Sequence, residues 1–588
     1  MRNAKIVCTI GPASDSVETL QELAEAGMSV ARMNASHGTP EHRRTVIDRI
    51  REVDKATDHP VAAMHDLPGP EVRTAPLEEP IQLVGGSTVR FVKGAEATPQ
   101  EVGISHSLTA VEPGDVILLD DGRIETTVQS VDGDTVTVTV ENGGKLGGRK
   151  GVNVPGVELG VPTITEQDQR ELEVAADKEV DFVAASFVRD GEFVTEISRA
   201  LEELGADIPV IAKIERGVAV ENIDSIIEAA YGVMVARGDL GVESPLEEVP
   251  MVQKRIIRKC NEAGVPVITA TEMLDSMITA RRPTRAESSD VANAVLDGTD
   301  AVMLSGETAM GDHPVRVVET MDRIVRDVEG SEEYAENLEQ HVPDADDTRA
   351  DALARSAREL ARDIDATAIV AASESGYTAL KAAKFKPSIP IVASTPNEDT
   401  RHRLVLSRGI TPVTAPYTSG GASAVINNAV QSALETDVAD SGDTVVVLSG
   451  MMTELEDTNS SNMLKIHVAS ETLGTGRSVV PGIVTGKLHR TDDGDLSDVP
   501  EGAILRISER FEGDLTGDPG KLGGIIDTHE GRTSNAATVA RELDIPMISG
   551  ANVTGHATDG DLVTLDAERG IIYEGEVANR GLEGHGRN

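Results

Sequence analysis

Val210-Ile211-Ala212-Lys213-Ile214-Glu215-Arg216 and, a little further on, Gly232-Val233-Met234-Val235-Ala236-Arg237-Gly238-Asp239-Leu240-Gly241 are two short apolar runs of strand length that end abruptly in charge. The first stops in a lysine and a glutamate, the second in an aspartate. In parallel α/β architectures the chemically active groups project from the C-terminal ends of different strands, so Lys213, Glu215 and Asp239 could converge on one ligand. Carboxylate oxygens suit a hard divalent cation such as Mg²⁺, and an adjacent lysine can neutralise a transferring phosphoryl group or a developing enolate. Taken alone, a Lys-x-Glu at a strand end is more often a solvated ion pair, so the reading depends on its neighbours.

Those neighbours repeat the pattern. Apolar runs at Ile6 to Ile10, Val30 to Ser36, Val61 to Leu67, Phe182 to Phe187, Val210 to Glu215, Val233 to Leu240, Val267 to Thr271 and Val302 to Gly306 alternate with helix-like stretches. Eight is the number a (β/α)₈ barrel needs, and residues 1–74 and 156–335 are assigned to it. Between the third and fourth runs the texture changes. Thr135-Val136-Thr137-Val138-Thr139-Val140 alternates with period two, and Asp121-Gly122, Asp132-Gly133 and Asn142-Gly143 are turn pairs. Residues 75–155 therefore read as an inserted β-barrel lid domain in a βα loop above the functional face.

After a charged linker near Ser331 to Asp347, a second α/β unit spans 345–470. Helical Ala350 to Asp363 precedes the strand Ala368 to Ala372 and the loop Ser373-Glu374-Ser375-Gly376-Tyr377-Thr378-Ala379. Such a loop before a helix is either an anion cradle or a plain capping loop. Gly474 and Gly476 lie near the junction to a last domain, 477–588.

The chain has 588 residues, 100 acidic against 54 basic, and a net charge of -46. Three or four domains are expected at that length. The field repels nucleic acid and anionic membrane surfaces. Acidic residues are dispersed, arginine is much commoner than lysine and Trp is absent, a composition typical of proteins from cytoplasm with molar salt; a merely acidic protein is the alternative. Cys8 and Cys260 offer neither a disulfide framework nor metal spacing. No apolar run approaches ~18 residues, and Ile6 to Ile10 is too brief for a signal sequence, so a cytoplasmic protein is expected.

Other strand ends carry polar groups. Arg32, Asn34, Ser36 and His37 lie in Val30 to Gly38; Asp66 and Arg73 lie in His65-Asp66-Leu67-Pro68-Gly69-Pro70-Glu71-Val72-Arg73-Thr74; Thr271 ends another run. Arginines can grip phosphate bidentately, and Asn, Ser and Asp oxygens can hold a cation, although each alone is more often a loop or capping residue.

Together these segments resemble the pyruvate kinase family. The resemblance rests on Lys5 to Ser14, Arg32 to Gly38, Gly69 to Thr74, the Lys213 and Asp239 segments, Arg282 to Glu287, Asp290 to Gly298 and Met303 to Thr308, in order from about residue 4 to 470. It implies phosphoryl transfer from phosphoenolpyruvate to ADP, giving pyruvate and ATP, with Mg²⁺ and K⁺ as cofactors and a homotetrameric assembly. By the same resemblance Glu215 and Asp239 hold Mg²⁺, and Lys213 stabilises the phosphoryl group and the enolate. Gly238 joins Arg32, Lys213, Asp239 and Thr271 in binding substrate, with Thr271 beside the enolpyruvate methylene. Asn34, Ser36, Asp66 and the Leu67 carbonyl match the K⁺ site. Asn34, His37, Arg73, Asp121 and Lys150 match nucleotide-binding positions, and Ser373, Ser375, Gly376 and Thr378 match an effector loop, as does the stretch Thr458 to Asn462. Glu374 adds a negative charge to that loop.

One departure bears on the monovalent ion. The family commonly has Thr-Lys where this chain has Leu67-Pro68, and K⁺-independent members tend to carry Lys at the Glu71 position and often Leu at the Leu67 position. Glu71 argues for a K⁺ requirement, Leu67 against it, and a backbone carbonyl can serve whatever the side chain. Finally, Gly531 to Pro546 resembles the swivelling phosphohistidine domain of phosphoenolpyruvate-using phosphotransferases, with Asn535 where the motif has His. An amide cannot accept a phosphoryl group as imidazole does, which speaks against a dikinase or synthase and for a structural domain.

Overall fold

The computed structural model describes residues 2–415, 421–436, 438–440, 442–450, 461–469, 472–511, 513–531, 533–553 and 557–577. The chain divides into two compact units. One comprises Met1–Ala345, Ala383–Ser388 and Asn397–Pro412; the other comprises Asp346–Ala382, Ile389–Pro396 and Val413–Asn588.

In the first unit the strands Lys5–Ile10, Val30–Asn34, Ala62–Asp66, Phe182–Ala185, Val210–Ile214, Gly232–Ala236, Val267–Ala270 and Ala301–Leu304 close a parallel barrel in chain order. Both faces of each strand are covered, which is why the sequence gives continuous apolar runs. Successive side chains nevertheless alternate. Val7, Val30, Met64, Phe182, Ile211, Met234, Ile268 and Met303 fill the interior. Ile6, Ala31, Ala63, Val183, Ala212 and Val235 face the surrounding helices. Counting by two along the inward face carries Val30 to Arg32, Met64 to Asp66, and Ile211 to Lys213 and Glu215. The same registry that builds the core therefore delivers the charges to the barrel mouth.

The strands stop earlier than the apolar runs suggest, at Asn34, Asp66, Ala185, Ile214, Ala270 and Leu304. The largest difference follows Ala236, where Arg237–Glu243 is a short helix rather than the end of a strand. The segment expected to be a charged linker holds the helix Glu332–Gln340, whose first turn is capped by the Ser331 hydroxyl. Capping boxes at Thr165/Asp168 and Thr284/Glu287 fix the starts of two barrel helices, each box satisfying donors that the first turn leaves unpaired.

The insertion is all β. Six strands run in the order Val152–Asn153, Val116–Leu119, Ile124–Asp132, Thr135–Asn142, Thr88–Lys93 and Glu101–Ile104, with a ribbon of Ile81–Leu83 and Gly144–Leu146. Val136, Val138 and Val140 are buried while the intervening threonines are half-exposed, as the period of two requires. Gly133, at φ +59°, makes the turn between Ile124–Asp132 and Thr135–Asn142.

In the second unit, Ile391–Thr395, Ala368–Ala372, Asp443–Ser449 and Met463–Ala469 lie in that order in one sheet, the last antiparallel. Helix Arg349–Asp363 begins within a residue of its expected start. Beyond it, seven strands between Thr472 and Glu574 close a second barrel, which carries the helix Asn535–Leu543. Among the described residues no helix is long and apolar enough to cross a membrane.

Candidate active site

Lys213 is the hub of the barrel mouth. Its Nζ donates to Ser186 Oγ at 2.7 Å and lies 2.9 Å from Glu215 Oε1 and 3.3 Å from Asp66 Oδ1. Asp66 Oδ2 in turn accepts from Arg32, at 2.6 Å from Nε and 2.5 Å from Nη2. Arg32 Nη1 donates to Thr9 Oγ1 at 2.8 Å. Lys213, Glu215, Asp66 and Arg32 are all buried, Asp66 completely. Two cations and two carboxylates thus share one desolvated network.

The network is unequal. Burial works against the charged ammonium of Lys213, yet Asp66 and then Glu215 overturn that and hold it above the ordinary lysine range. Burial also opposes ionisation of Asp66, but Arg32 and Lys213 keep its carboxyl below the usual aspartate range. Glu215 fares differently. Burial pushes it up to about 7, Lys213 only partly offsets this, and the nearby Asp239 carboxylate adds to it. Asp239 is itself raised, by burial first and then by Glu71 and Asp121, with Lys213 opposing. Lys213 thus serves Glu215 at 2.9 Å and Asp66 at 3.3 Å at once, and burial together with the Asp239 carboxylate still raises Glu215 despite that contact. A pair of hard carboxylates with unmet negative charge fits a small divalent cation that takes its remaining ligands from water and substrate oxygens. Among the described residues no group of three or more acidic, His or Cys side chains forms a cage.

Asn34 Oδ1 accepts from Ser36 N at 3.0 Å, and the Leu67 carbonyl accepts from Ser186 Oγ at 2.8 Å. Asn34 is registered opposite Asp66 on the adjacent strand, and Leu67 follows Asp66 directly, so these groups lie at neighbouring strand ends. They are mainly neutral oxygens, the donor type that suits a large monovalent cation. Glu71 has no lysine at its place and pairs with Arg73 at 2.6 Å. Arg73 Nη1 also donates to the Arg149 carbonyl at 3.0 Å within the lid. His37 contributes its carbonyl to Arg43, whose guanidinium pairs with buried Glu171.

On the lid, Asp120 and Asp121 both adopt positive φ, 53° and 55°. Lys150 Nζ pairs with Asp120 Oδ1 at 2.7 Å, whereas Asp121 is the charge felt by Asp239 and Glu71. Asn153 Nδ2 donates to Glu243 Oε1 at 3.0 Å, linking lid and barrel. Thr271 stands at φ +70°, a conformation rare for a β-branched residue, and its Oγ1 accepts from Gly238 N at 2.7 Å.

The remaining expected positions lie in the second unit. Ser373 Oγ accepts from Thr378 N at 3.3 Å, Ser375 Oγ from Tyr377 N at 3.5 Å, and Thr378 Oγ1 shares a hydrogen bond with Ser461 Oγ at 2.9 Å. Gly376, at φ +82°, turns the loop. Residues 458–460 lie outside the described residues. Asn535 opens the helix Asn535–Leu543, and its amide Nδ2 donates to Asp514 Oδ1. It borders a cavity of about 420 Å³ together with His529, Asp527 and Phe511. His529 is held by Asp527 Oδ1 at 3.0 Å and the Glu509 carbonyl at 3.1 Å. His556, the next histidine along the chain, is outside the described residues.

Four participants are absent from the expectations. Ser186 bridges Lys213 and Leu67, and Phe187 N donates to Glu215 Oε2 at 2.6 Å. Thr9 supports Arg32, and Arg237 binds the Thr271 carbonyl at 2.7 Å. Counting by two from Phe182 and Ala184 reaches Ser186, and from Val7 reaches Thr9, so the signal was present in the strand period.

A family model described as the pyruvate kinase barrel domain matches residues 1–318, that of the pyruvate kinase alpha/beta domain matches 351–467, and that of the PEP-utilising enzyme mobile domain matches 499–570. A pyruvate kinase of Geobacillus stearothermophilus is 43% identical over 588 residues, covering 98% of this chain and 99% of its own. A pyruvate kinase of Staphylococcus aureus (strain MRSA252) is 41% identical over 587 residues, with 98% and 99% covered. Such coverage includes the terminal domain, which these relatives share.

Proposed function

We propose, for a chain that belongs to the pyruvate kinase family and transfers the phosphoryl group of phosphoenolpyruvate to ADP in glycolysis, the following division of labour among its residues. Arg32 and Lys213 receive the phosphoryl group, and Gly238, Asp239 and Thr271 border the enolpyruvate portion. Lys213 offsets the charge of the phosphoryl group in flight and of the enolate left behind, which gains a proton at its methylene carbon to become pyruvate. Thr271 lies beside that carbon. Glu215 and Asp239 would hold Mg²⁺, which when bound would supply positive charge to offset the negative charge developing during the transfer. Asn34, Ser36, Asp66 and the Leu67 carbonyl hold K⁺. Asn34, His37, Arg73, Asp121 and Lys150 meet the nucleotide.

The observation that carries this reading is the unbalanced carboxylate pair Glu215 and Asp239 beside the charged Lys213. It is tested by assaying pyruvate formation while Mg²⁺ is titrated and KCl is replaced by NaCl at constant ionic strength. Turnover should require the divalent ion and fall about tenfold or more without K⁺. Full activity in EDTA would refute the Mg²⁺ assignment, and equal rates in the two salts would refute the K⁺ site.

Residues 1–74 and 156–335 form the catalytic barrel, 75–155 the lid, 345–470 the effector-type domain with Ser373, Ser375, Gly376 and Thr378 in its loop, and 477–588 a domain without phosphohistidine chemistry, because Asn535 replaces the acceptor. The protein is a cytoplasmic homotetramer of high-salt type that binds neither nucleic acid nor membrane. The net charge of -46 supports this, since molar salt shortens the screening length to about 3 Å and relieves self-repulsion.

A further inference from the structure

Thr271 and Glu272 both occupy the left-handed region, at φ +70° and +53°. A β-branched residue persists there only when its surroundings over-determine it. The Thr271 hydroxyl contributes, donating to the Ala270 carbonyl at 2.7 Å and accepting from Gly238 N at 2.7 Å, and Arg237 fixes the backbone on either side. Its Nε donates to the Ala270 carbonyl at 3.1 Å and its Nη2 to the Thr271 carbonyl at 2.7 Å, the two carbonyls that bracket the strained residue. Nη2 also lies 2.9 Å from Met273 Sδ. The guanidinium is anchored on the far side by Asp290, at 2.7 Å from both Nη1 and Nη2, and by Gln253 Oε1 at 3.3 Å. Arg237 immediately precedes Gly238, whose N–H donates to Thr271 Oγ1, and Asp239. One planar fork therefore locks the strained backbone of one strand end to the segment that follows the neighbouring strand.

We propose that Arg237, oriented by Asp290, is a positioning residue that holds the Thr271 hydroxyl at the protonation face, acting on the enolate-to-pyruvate step rather than on phosphoryl transfer. This rests on the reading of Thr271 given above. Arg237 touches neither substrate nor cation in the proposal. A lysine at this place keeps the charge but cannot bond two carbonyls and a carboxylate in one plane.

The test compares the full-length wild type, Arg237→Lys, Asp290→Asn, Thr271→Val and the Arg237→Lys/Thr271→Val double variant. Deuterium uptake into the pyruvate methyl group is followed by NMR in D₂O with Mg²⁺, K⁺ and inorganic phosphate standing in for the phosphoryl group. Arg237→Lys and Asp290→Asn should each lower exchange about tenfold while the KM for phosphoenolpyruvate stays within about threefold, and the double variant should lose no more than Thr271→Val alone. Normal exchange in Arg237→Lys and Asp290→Asn with loss in Thr271→Val overturns the clamp and leaves the site reading intact. Additive losses in the double variant also overturn it. Normal exchange in Thr271→Val refutes the reading of Thr271 instead. Should Arg237→Lys fail to fold by circular dichroism, Asp290→Asn combined with Thr271→Val gives the same cycle.

Discussion

The ammonium of Lys213 reaches past the strand Phe182–Ala185 to lie 3.3 Å from Asp66 Oδ1, joining strands that are not neighbours in the barrel. Asp66 is thereby the common counter-charge of Lys213 and Arg32. Asp66→Asn removes that charge with almost no change in volume, leaving two buried cations facing one another's field. We expect kcat/KM for phosphoenolpyruvate to fall by about two orders of magnitude, because both cations proposed to receive the phosphoryl group lose their orientation. Steady-state kinetics of the variant, alongside circular dichroism, measures this.

Glu71 gives the proposed K⁺ requirement its sharpest test. Its carboxylate is paired with Arg73 at 2.6 Å and, by burial, raised above the usual glutamate range. Glu71→Lys places a fixed positive charge where the K⁺ reading needs a mobile one. The ratio of turnover in KCl to that in NaCl at equal ionic strength should drop from about tenfold towards unity. An unchanged ratio would separate Glu71 from the ion.

Much of this arrangement was legible in the chain because strand ends punctuate apolar runs with charge. Lys213, Glu215, Asp66 and Arg32 could be read as one set since all follow apolar residues that are two positions apart on the inward face. Ser186 and Phe187 were harder to see. Serine and phenylalanine at a strand end carry no charge signal, and their roles depend on a hydroxyl and a backbone N–H that only the closed barrel directs at Lys213 and Glu215. Arg237 was hidden for a different reason. It follows an apolar run and reads as strand, whereas the chain turns helical there, and its partners Ala270, Thr271 and Asp290 come from distant segments. The helix Glu332–Gln340 escaped because its acidic composition reads as a solvated linker, while buried Tyr334 and Leu338, a turn apart, supply the face that fixes it.

A buried ion pair supports the 34–38 loop. Arg43 Nε donates to Glu171 Oε2 at 2.9 Å, His65 Nε2 lies 3.0 Å from the same oxygen, and Arg43 Nη1 donates to the His37 carbonyl at 2.5 Å. Glu171→Ala leaves the guanidinium uncompensated. Loss of about 3–5 kcal/mol is expected in denaturant unfolding of the first unit, with a higher K⁺ concentration for half-activation.

His402 provides a pH signature. Burial lowers its pKa, but the bond to Asp54 at 2.9 Å and the nearby Asp181 more than compensate, so it lies above 6.5 in the fold. Asp54 moves the other way: burial opposes its ionisation, but the hydrogen bond from His402 and then that from Val61 N bring it below 3.8. The histidine's contribution is complete below its unfolded pKa and fades as pH rises through the folded one; the aspartate's is complete above its unfolded pKa and fades as pH falls through its folded one. Both are present between 3.8 and 6.5. The thermal midpoint of the wild type should therefore exceed that of His402→Gln most clearly near about pH 6, and the gap should narrow towards about pH 8.5. A gap that widens with pH would contradict the pairing.

In the proposed division of labour phosphoryl transfer depends on the Lys213 ammonium, which Lys213→Met removes. Methionine keeps the apolar stem and removes only the ammonium. With phosphoenolpyruvate, ADP and Mg²⁺ in molar KCl, pyruvate formation should fall by about three orders of magnitude or more while the protein remains folded. A folded Lys213→Met variant that turns over within about tenfold of the wild type would contradict it.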